Sequence, residues 1–245
     1  MSLVSKCSPW GLGLCLCSSM AFAQDLTTSY NASKIHKLDL EINSGQIEIN
    51  SRKDGKVSIQ VTKTRFDEKV CDLKVGERSG KISVETKKNL LTSGECEVKV
   101  LVYAPAEVKV EAAMGSGNIA ITGPFKETEL VSGSGDVLFS GLFEQLDVKV
   151  GSGDVRGTAL EAGADIKTGS GDIDLNYKAI PSKGKLSIMK ASGDLKIITP
   201  KDAKLKSDVT TASGKFLNEV GDTKDAGFEV SVTSASGNVN IEKQK

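Results

Sequence analysis

A short phrase built on Ser-Gly recurs through the second half of this 245-residue chain. It constrains the fold more than any other feature. It reads Gly115-Ser-Gly-Asn-Ile119, Gly133-Ser-Gly-Asp-Val137, Gly151-Ser-Gly-Asp-Val155 and Gly169-Ser-Gly-Asp-Ile173. A looser form follows: Ala191-Ser-Gly-Asp-Leu195, Ala212-Ser-Gly-Lys-Phe216 and Ala235-Ser-Gly-Asn-Val239. The central glycines, Gly117, Gly135, Gly153, Gly171, Gly193, Gly214 and Gly237, are spaced by 18, 18, 18, 22, 21 and 23 residues. A period of about twenty residues marks a solenoid, because one repeat cannot bury its apolar face alone and must stack on its neighbours.

Aligning the copies on these glycines shows which side chains face inward. Two positions after the glycine stand Ile119, Val137, Val155, Ile173, Leu195, Phe216 and Val239. Five before it stand Ala112, Leu130, Val148, Ile166, Ile188, Val209 and Val232. Weaker apolar columns lie seven before and four after, the latter broken by Gly157 and Asn218. Even offsets along a strand share one face. The expected fold is therefore all-β, a parallel β-helix-like solenoid over residues 106–245. Seven turns about 4.8 Å apart would make a rod roughly 30 Å long. The extra length of the later copies falls in Lys178–Gly184 and Pro200–Ala203, expected as loops bulging on one side.

Residues 24–105 are β-rich but irregular. Leu38–Ile42, Gln46–Ile49, Lys56–Val61, Lys81–Val84 and Glu97–Val102 alternate apolar and polar residues as half-buried strands do. This region is expected to cap the coil, with Gly45 and Gly80 as degenerate copies of the repeat. Residues 1–23 read as a signal peptide: Lys6, an apolar stretch, then Ala21-Phe-Ala23 as the cleavage site. Leu14 and Leu16, which precede Cys15 and Cys17, argue against a lipoprotein signal. An exported chain meets oxidising conditions, so Cys71 and Cys96 are expected to form a disulfide. Loss of Lys6 leaves 31 basic against 32 acidic residues. That balance argues against nucleic acid or an anionic membrane as partner. No later stretch is apolar enough to be an integral membrane segment. The charged tail Glu242–Lys245 would discourage end-to-end pairing of the final turn, which points to a monomer.

The sharpest chemical feature is the column Asp136, Asp154, Asp172, Asp194. Stacked carboxylates repel, so something must offset them. Ca²⁺ would do so, as would backbone N–H groups at an Asx turn. The neutral Asn118 and Asn238 in the same column favour the turn, with no metal and no cofactor. Ser134, Ser152 and Ser170 lack the frame of a serine nucleophile, and the single histidine, His36, lies outside the repeats. A carbohydrate-active β-helix could assemble Asp154, Arg156, Asp172 and Asp174, although Arg156 is the repeat region's one arginine. Tyr177, Phe125 and Phe143 are the aromatics expected at the surface.

With Leu101-Val-Tyr-Ala-Pro105 ahead of the first strong copy, the pattern resembles a family of secreted bacterial proteins of unassigned function. That family is grouped as "putative adhesins" alongside the head-GIN-domain group. The resemblance implies a solenoid behind a signal peptide and carries over no site residues. The expected function is a non-catalytic exported envelope protein, periplasmic, secreted or at the cell surface. Its rod would present a binding surface to an envelope protein or glycan. The alternatives are the carbohydrate-active enzyme and a calcium-binding β-roll.

Overall fold

The computed structural model describes residues 25–89 and 91–245, so the signal-peptide expectation lies outside the described residues. The described residues form nineteen strands and one short 3-10 turn, Ala32–Lys34. The first six strands are β1 (Asp25–Asn31), β2 (Lys37–Ser51), β3 (Lys56–Phe66), β4 (Cys71–Arg78), β5 (Lys81–Lys88) and β6 (Cys96–Ala104). The next seven are β7 (Lys109–Thr122), β8 (Phe125–Ser134), β9 (Val137–Ser140), β10 (Phe143–Ser152), β11 (Val155–Leu160), β12 (Ala164–Ser170) and β13 (Ile173–Tyr177). The last six are β14 (Gly184–Ser192), β15 (Leu195–Thr199), β16 (Lys206–Ser213), β17 (Phe216–Asn218), β18 (Phe228–Ser236) and β19 (Val239–Lys243).

Each repeat lays one strand on a first face, turns at its glycine, and lays a second strand on the opposite face. β2 and β7 run through the corner as single long strands. Pairing is parallel throughout the coil. The first face runs β5, β2, β7, β8, β10, β12, β14, β18, β16. The second runs β6, β2, β7, β9, β11, β13, β15, β19, β17. Nine rows at the usual strand spacing give a rod roughly 40 Å long. The N-terminal region is continuous with it. β2 stacks on β7 from Lys37↔Lys109 to Asn50↔Thr122, with Gly45 opposite Gly117. Gly80, in contrast, is no repeat glycine: it makes the β4–β5 hairpin turn at φ +77°.

The inward columns are those the alignment picked out. Ile119, Val137, Val155, Ile173, Leu195 and Val239 are fully buried. The breaks have local causes. A Cβ on Gly157 would lie 2.5 Å from the Phe139 ring in the row beside it, so the glycine makes room for that ring. The Asn218 side chain accepts from the Val220 and Gly221 N–H groups, both at 3.0 Å, and so closes a turn.

The first and last strands of the coil are both tucked inside it. β2, the first strand of the coil proper, lies inside the β5–β6 row. β18 and β19, the last, lie between β14–β15 and β16–β17. The outermost row at this end is therefore the penultimate repeat, Lys206–Asn218. The tail expected to shield the exposed turn is not on it: Glu242 and Lys243 lie in β19, opposite Ile198 and Thr199. The other end is covered by antiparallel strands. β4 pairs with β5, and β3, backed by β1, pairs with β6.

The Cys71–Cys96 disulfide closes a 25-residue span and ties the start of β4 to the start of β6, around the β4–β5 hairpin. Loop-closure entropy for such a span is about 3 kcal/mol. Replacing both cysteines by serine should lower unfolding free energy by about that amount in urea titration.

Candidate functional site

The glycine corner repeats one geometry from row to row. Its eight marker glycines, Gly45 included, take φ between +102° and +137°, where an L side chain is strained. Space excludes one as well: a Cβ on Gly117 would overlap the carbonyl oxygen of Gly45. The same collision repeats from Gly135 on Gly117 through to Gly214 on Gly237.

Beside this column runs the Asn/Asp ladder. Each side chain accepts a hydrogen bond from the backbone N–H of the equivalent residue one row further on. Asn118 Oδ1 takes the Asp136 N–H at 3.1 Å, and Asp136 takes that of Asp154 at 3.0 Å. Asp154 takes that of Asp172 at 3.1 Å, and Asp172 that of Asp194 at 2.8 Å. Asp194 then serves Asn238 at 2.8 Å, and Asn238 serves Lys215 at 3.1 Å. The bonds thus run between rows rather than within one corner as in an Asx turn. They explain why the column ends in a lysine: among the described residues, no row lies beyond Lys215 for an acceptor to serve.

Two cations flank the ladder. The Arg156 guanidinium lies 2.8 Å from Asp154 Oδ2 and 3.9 Å from Asp136 Oδ2. Sequence reasoning missed the second, Lys190, which is 3 % exposed and points inward from β14. Its ammonium donates to the carbonyls of Gly193 and of Ser236, the latter at 3.1 Å. Burial pulls its pKa below the ordinary lysine value, and Asp194 and Asp172 partly offset this. Met114 holds the equivalent inward position in β7.

The other expected residues do not gather into a reactive centre. Asp154 and Arg156 are joined as above, while Asp174 stands in register between Arg156 of β11 and Lys196 of β15. The Ser170 hydroxyl donates to the Ser152 hydroxyl at 3.2 Å, a bond between rows. His36 sits ahead of β2, its backbone N–H on the Gly80 carbonyl. Among the described residues, no group of three or more His, Cys, Asp or Glu side chains converges as metal ligands would. The aromatic expectation is corrected: Tyr177, Phe125 and Phe143 are buried, at 0 %, 1 % and 2 % exposure. They fill the core where the second face turns back to the first. The loops Lys178–Gly184 and Pro200–Ala203 do meet on that side, around a cleft of about 530 Å³ shared with Asp225–Gly227.

An open groove of about 850 Å³ runs along the glycine-corner edge of the first face. Its floor is the small column Gly151, Gly169, Ala191, Ala235, Ala212. Its wall is Val131, Lys149, Lys167, Met189, Thr233 and Thr210. Lys149 pairs with Glu129 at 2.7 Å and Lys167 with Asp165 at 3.3 Å, so the wall carries little net charge. Met189, 56 % exposed, is its most prominent apolar side chain.

Residues 42–242 match the Toastrack DUF4097 family. The chain belongs to that family. No curated protein matches it. Among solved structures, this Toastrack chain resembles a "putative adhesin" from Bacteroides fragilis at 17 % identity and a TM-score of 0.53, over 89 % of this chain and 97 % of that one. A "putative adhesin" from Parabacteroides merdae gives 10 % identity and 0.43, over 91 % and 97 %. A "putative cell adhesion protein" from Clostridium sporogenes gives 14 % and 0.38, over 91 % and 100 %. At 17 % identity the likeness to the Bacteroides fragilis structure is one of fold alone. Among the described residues, no helix is long and apolar enough to cross a membrane.

The ladder and the buried lysine each give a prediction. Asp154→Ala leaves the Asp172 N–H without its acceptor and should cost about 1–2 kcal/mol of stability in chemical denaturation. Asp154→Asn, the residue already used at 118 and 238, should stay within about 0.5 kcal/mol of wild type. For Lys190, the folded state binds fewer protons than the unfolded state between its depressed pKa and the ordinary value near ~10.4. Its contribution to stability therefore rises with pH through that window. Between pH 7 and pH 10, the stability difference between wild type and Lys190→Met should move in favour of wild type.

Proposed function

We propose that this protein is a non-catalytic, exported component of a bacterial envelope, a rigid β-solenoid that presents a binding surface. The groove along the glycine corner is that surface. It is the observation that carries the reading. Shape and near-neutrality make it suited to an extended ligand lying along the rod: the floor is bare backbone and methyl groups, and the wall lysines are already paired. The envelope partner would be a protein or a glycan strand. The Cys71–Cys96 disulfide fits an oxidising compartment, and the names of the structural neighbours fit an adhesive role. In this reading the aspartate column is structural: the Oδ1 acceptors hold rows together and need neither calcium nor catalysis.

Two measurements test it. An epitope tag placed after Lys245 should be lost when intact cells are treated with protease. Protection until the outer membrane is opened would put the protein in the periplasm and overturn direct surface adhesion. Separately, Ala191→Arg fills the groove floor with a side chain that can extend outward, since Ala191 is exposed. Retention of the purified protein on isolated envelope fragments should fall at least ~10-fold with an unchanged melting temperature. Unchanged retention would show that the groove is not the binding surface.

A further inference from the structure

The two ends of the rod are unlike. One is closed by antiparallel strands; the other stops at β16 and β17, which among the described residues pair only with β18 and β19. The inward column that is fully buried in six rows becomes 42 % exposed at Phe216. The loop after β17 shields part of this end: Asp222 accepts from the Ser207 N–H at 2.9 Å. Among the described residues, no strand pairs with the outer edge of β17.

The backbone of β17 shows what kind of strand can be added. The Lys215 carbonyl accepts from Val239 N–H at 2.8 Å, and the Glu219 N–H donates to the Ile241 carbonyl at 2.9 Å. Residues 215, 217 and 219 therefore address β19. By the alternation of a parallel ladder, Phe216 and Asn218 direct their N–H and C=O groups out of the end. A further parallel row would need an acceptor at position 215 for its own corner N–H, and Lys215 offers none. The ladder is terminated against parallel growth, whereas antiparallel pairing makes no such demand.

We propose that this end binds the same end of a second copy, closing a two-fold dimer in which β17 pairs antiparallel with itself about Leu217. In that register Phe216 and Asn218 of opposite copies exchange hydrogen bonds, and Leu217 meets Leu217. Lys215 of each copy lies opposite Glu219 of the other. Leu217 is 52 % exposed. Among the described residues, neither the Lys215 nor the Glu219 side chain has an ion-pair or hydrogen-bond partner. The segment is self-complementary in charge, apolar contact and backbone polarity, as an isologous interface requires. The contact closes on itself, so the assembly stops at two.

Sedimentation equilibrium on the purified protein, with charge reversals, tests this. The wild type should be a reversible dimer. Lys215→Glu and Glu219→Lys, each placing like charges opposite one another twice, should weaken it at least ~10-fold, and the double reversal should restore it to within ~3-fold. Both side chains are exposed, so circular dichroism should show the fold unchanged. Leu217→Cys places two thiols opposite each other in a close, non-hydrogen-bonded pair, and mild oxidation should give a covalent dimer. A wild type monomeric at about 100 µM, growth beyond two copies, additive losses in the double reversal, or no crosslink at position 217 would each overturn the proposal.

Discussion

The rod depends on how closely one glycine corner can approach the next. Each corner seats its glycine against the carbonyl oxygen of the preceding one, so close that any Cβ would collide with it. That approach sets the row spacing on both faces at once, because the two strands of a row diverge from the same corner. The apolar columns can then meet as ladders, and the Asn/Asp side chains come within reach of the next row's N–H. A bulkier residue would open the corner, and both sheets would lose register from there outward. The glycines are thus needed for contact between rows as much as for the bend within one.

The carboxylate ladder is the electrostatic counterpart of this contact. Four aspartates in line would repel by roughly 1–3 kcal/mol per neighbouring pair. Each is held by a backbone donor from the next row, by Arg156 on the outside, or by the field of Lys190 within. Acceptors that point only one way along the rod also give it polarity. The ladder runs in this one direction from Asn118 and stops at the outermost row, where Lys215 stands.

Much of this was legible in the residues, and what was not has definite causes. The column from Ile119 to Val239 identified the coil and its inward face because burial repeats at a fixed offset from the glycine. Row order was not legible in the same way, since permuting two rows leaves every column intact. A signal for it does exist: the copy around Gly214 carries Ser207, Lys215 and Asn218 where the final copy carries Val230, Asn238 and Ile241. The weaker copy is the one with a neighbour on one side only. The direction of the Asp bonds was open because the same spacing serves a local turn and a contact between rows. Tyr177, Phe125 and Phe143 were misplaced because their columns lie beside the connecting segments, where pattern alone does not separate lining from surface. The groove arises from many small residues at one offset, each unremarkable alone.

The insertion of β18 and β19 has a consequence for how the rod is built. They follow β16 and β17 in the chain, yet they are not the outermost layer; they slot between two others. A chain cut short before β18 would not be a shorter rod. It would have a vacant layer beneath its outermost row, with β14 and β16 facing each other across a gap. Layer-by-layer completion in chain order is therefore blocked at this end, because β18 and β19 must enter between two rows that precede them in the sequence. The fold distinguishes a chain that contains β18 and β19 from one that lacks them, which an open-ended stack of repeats does not.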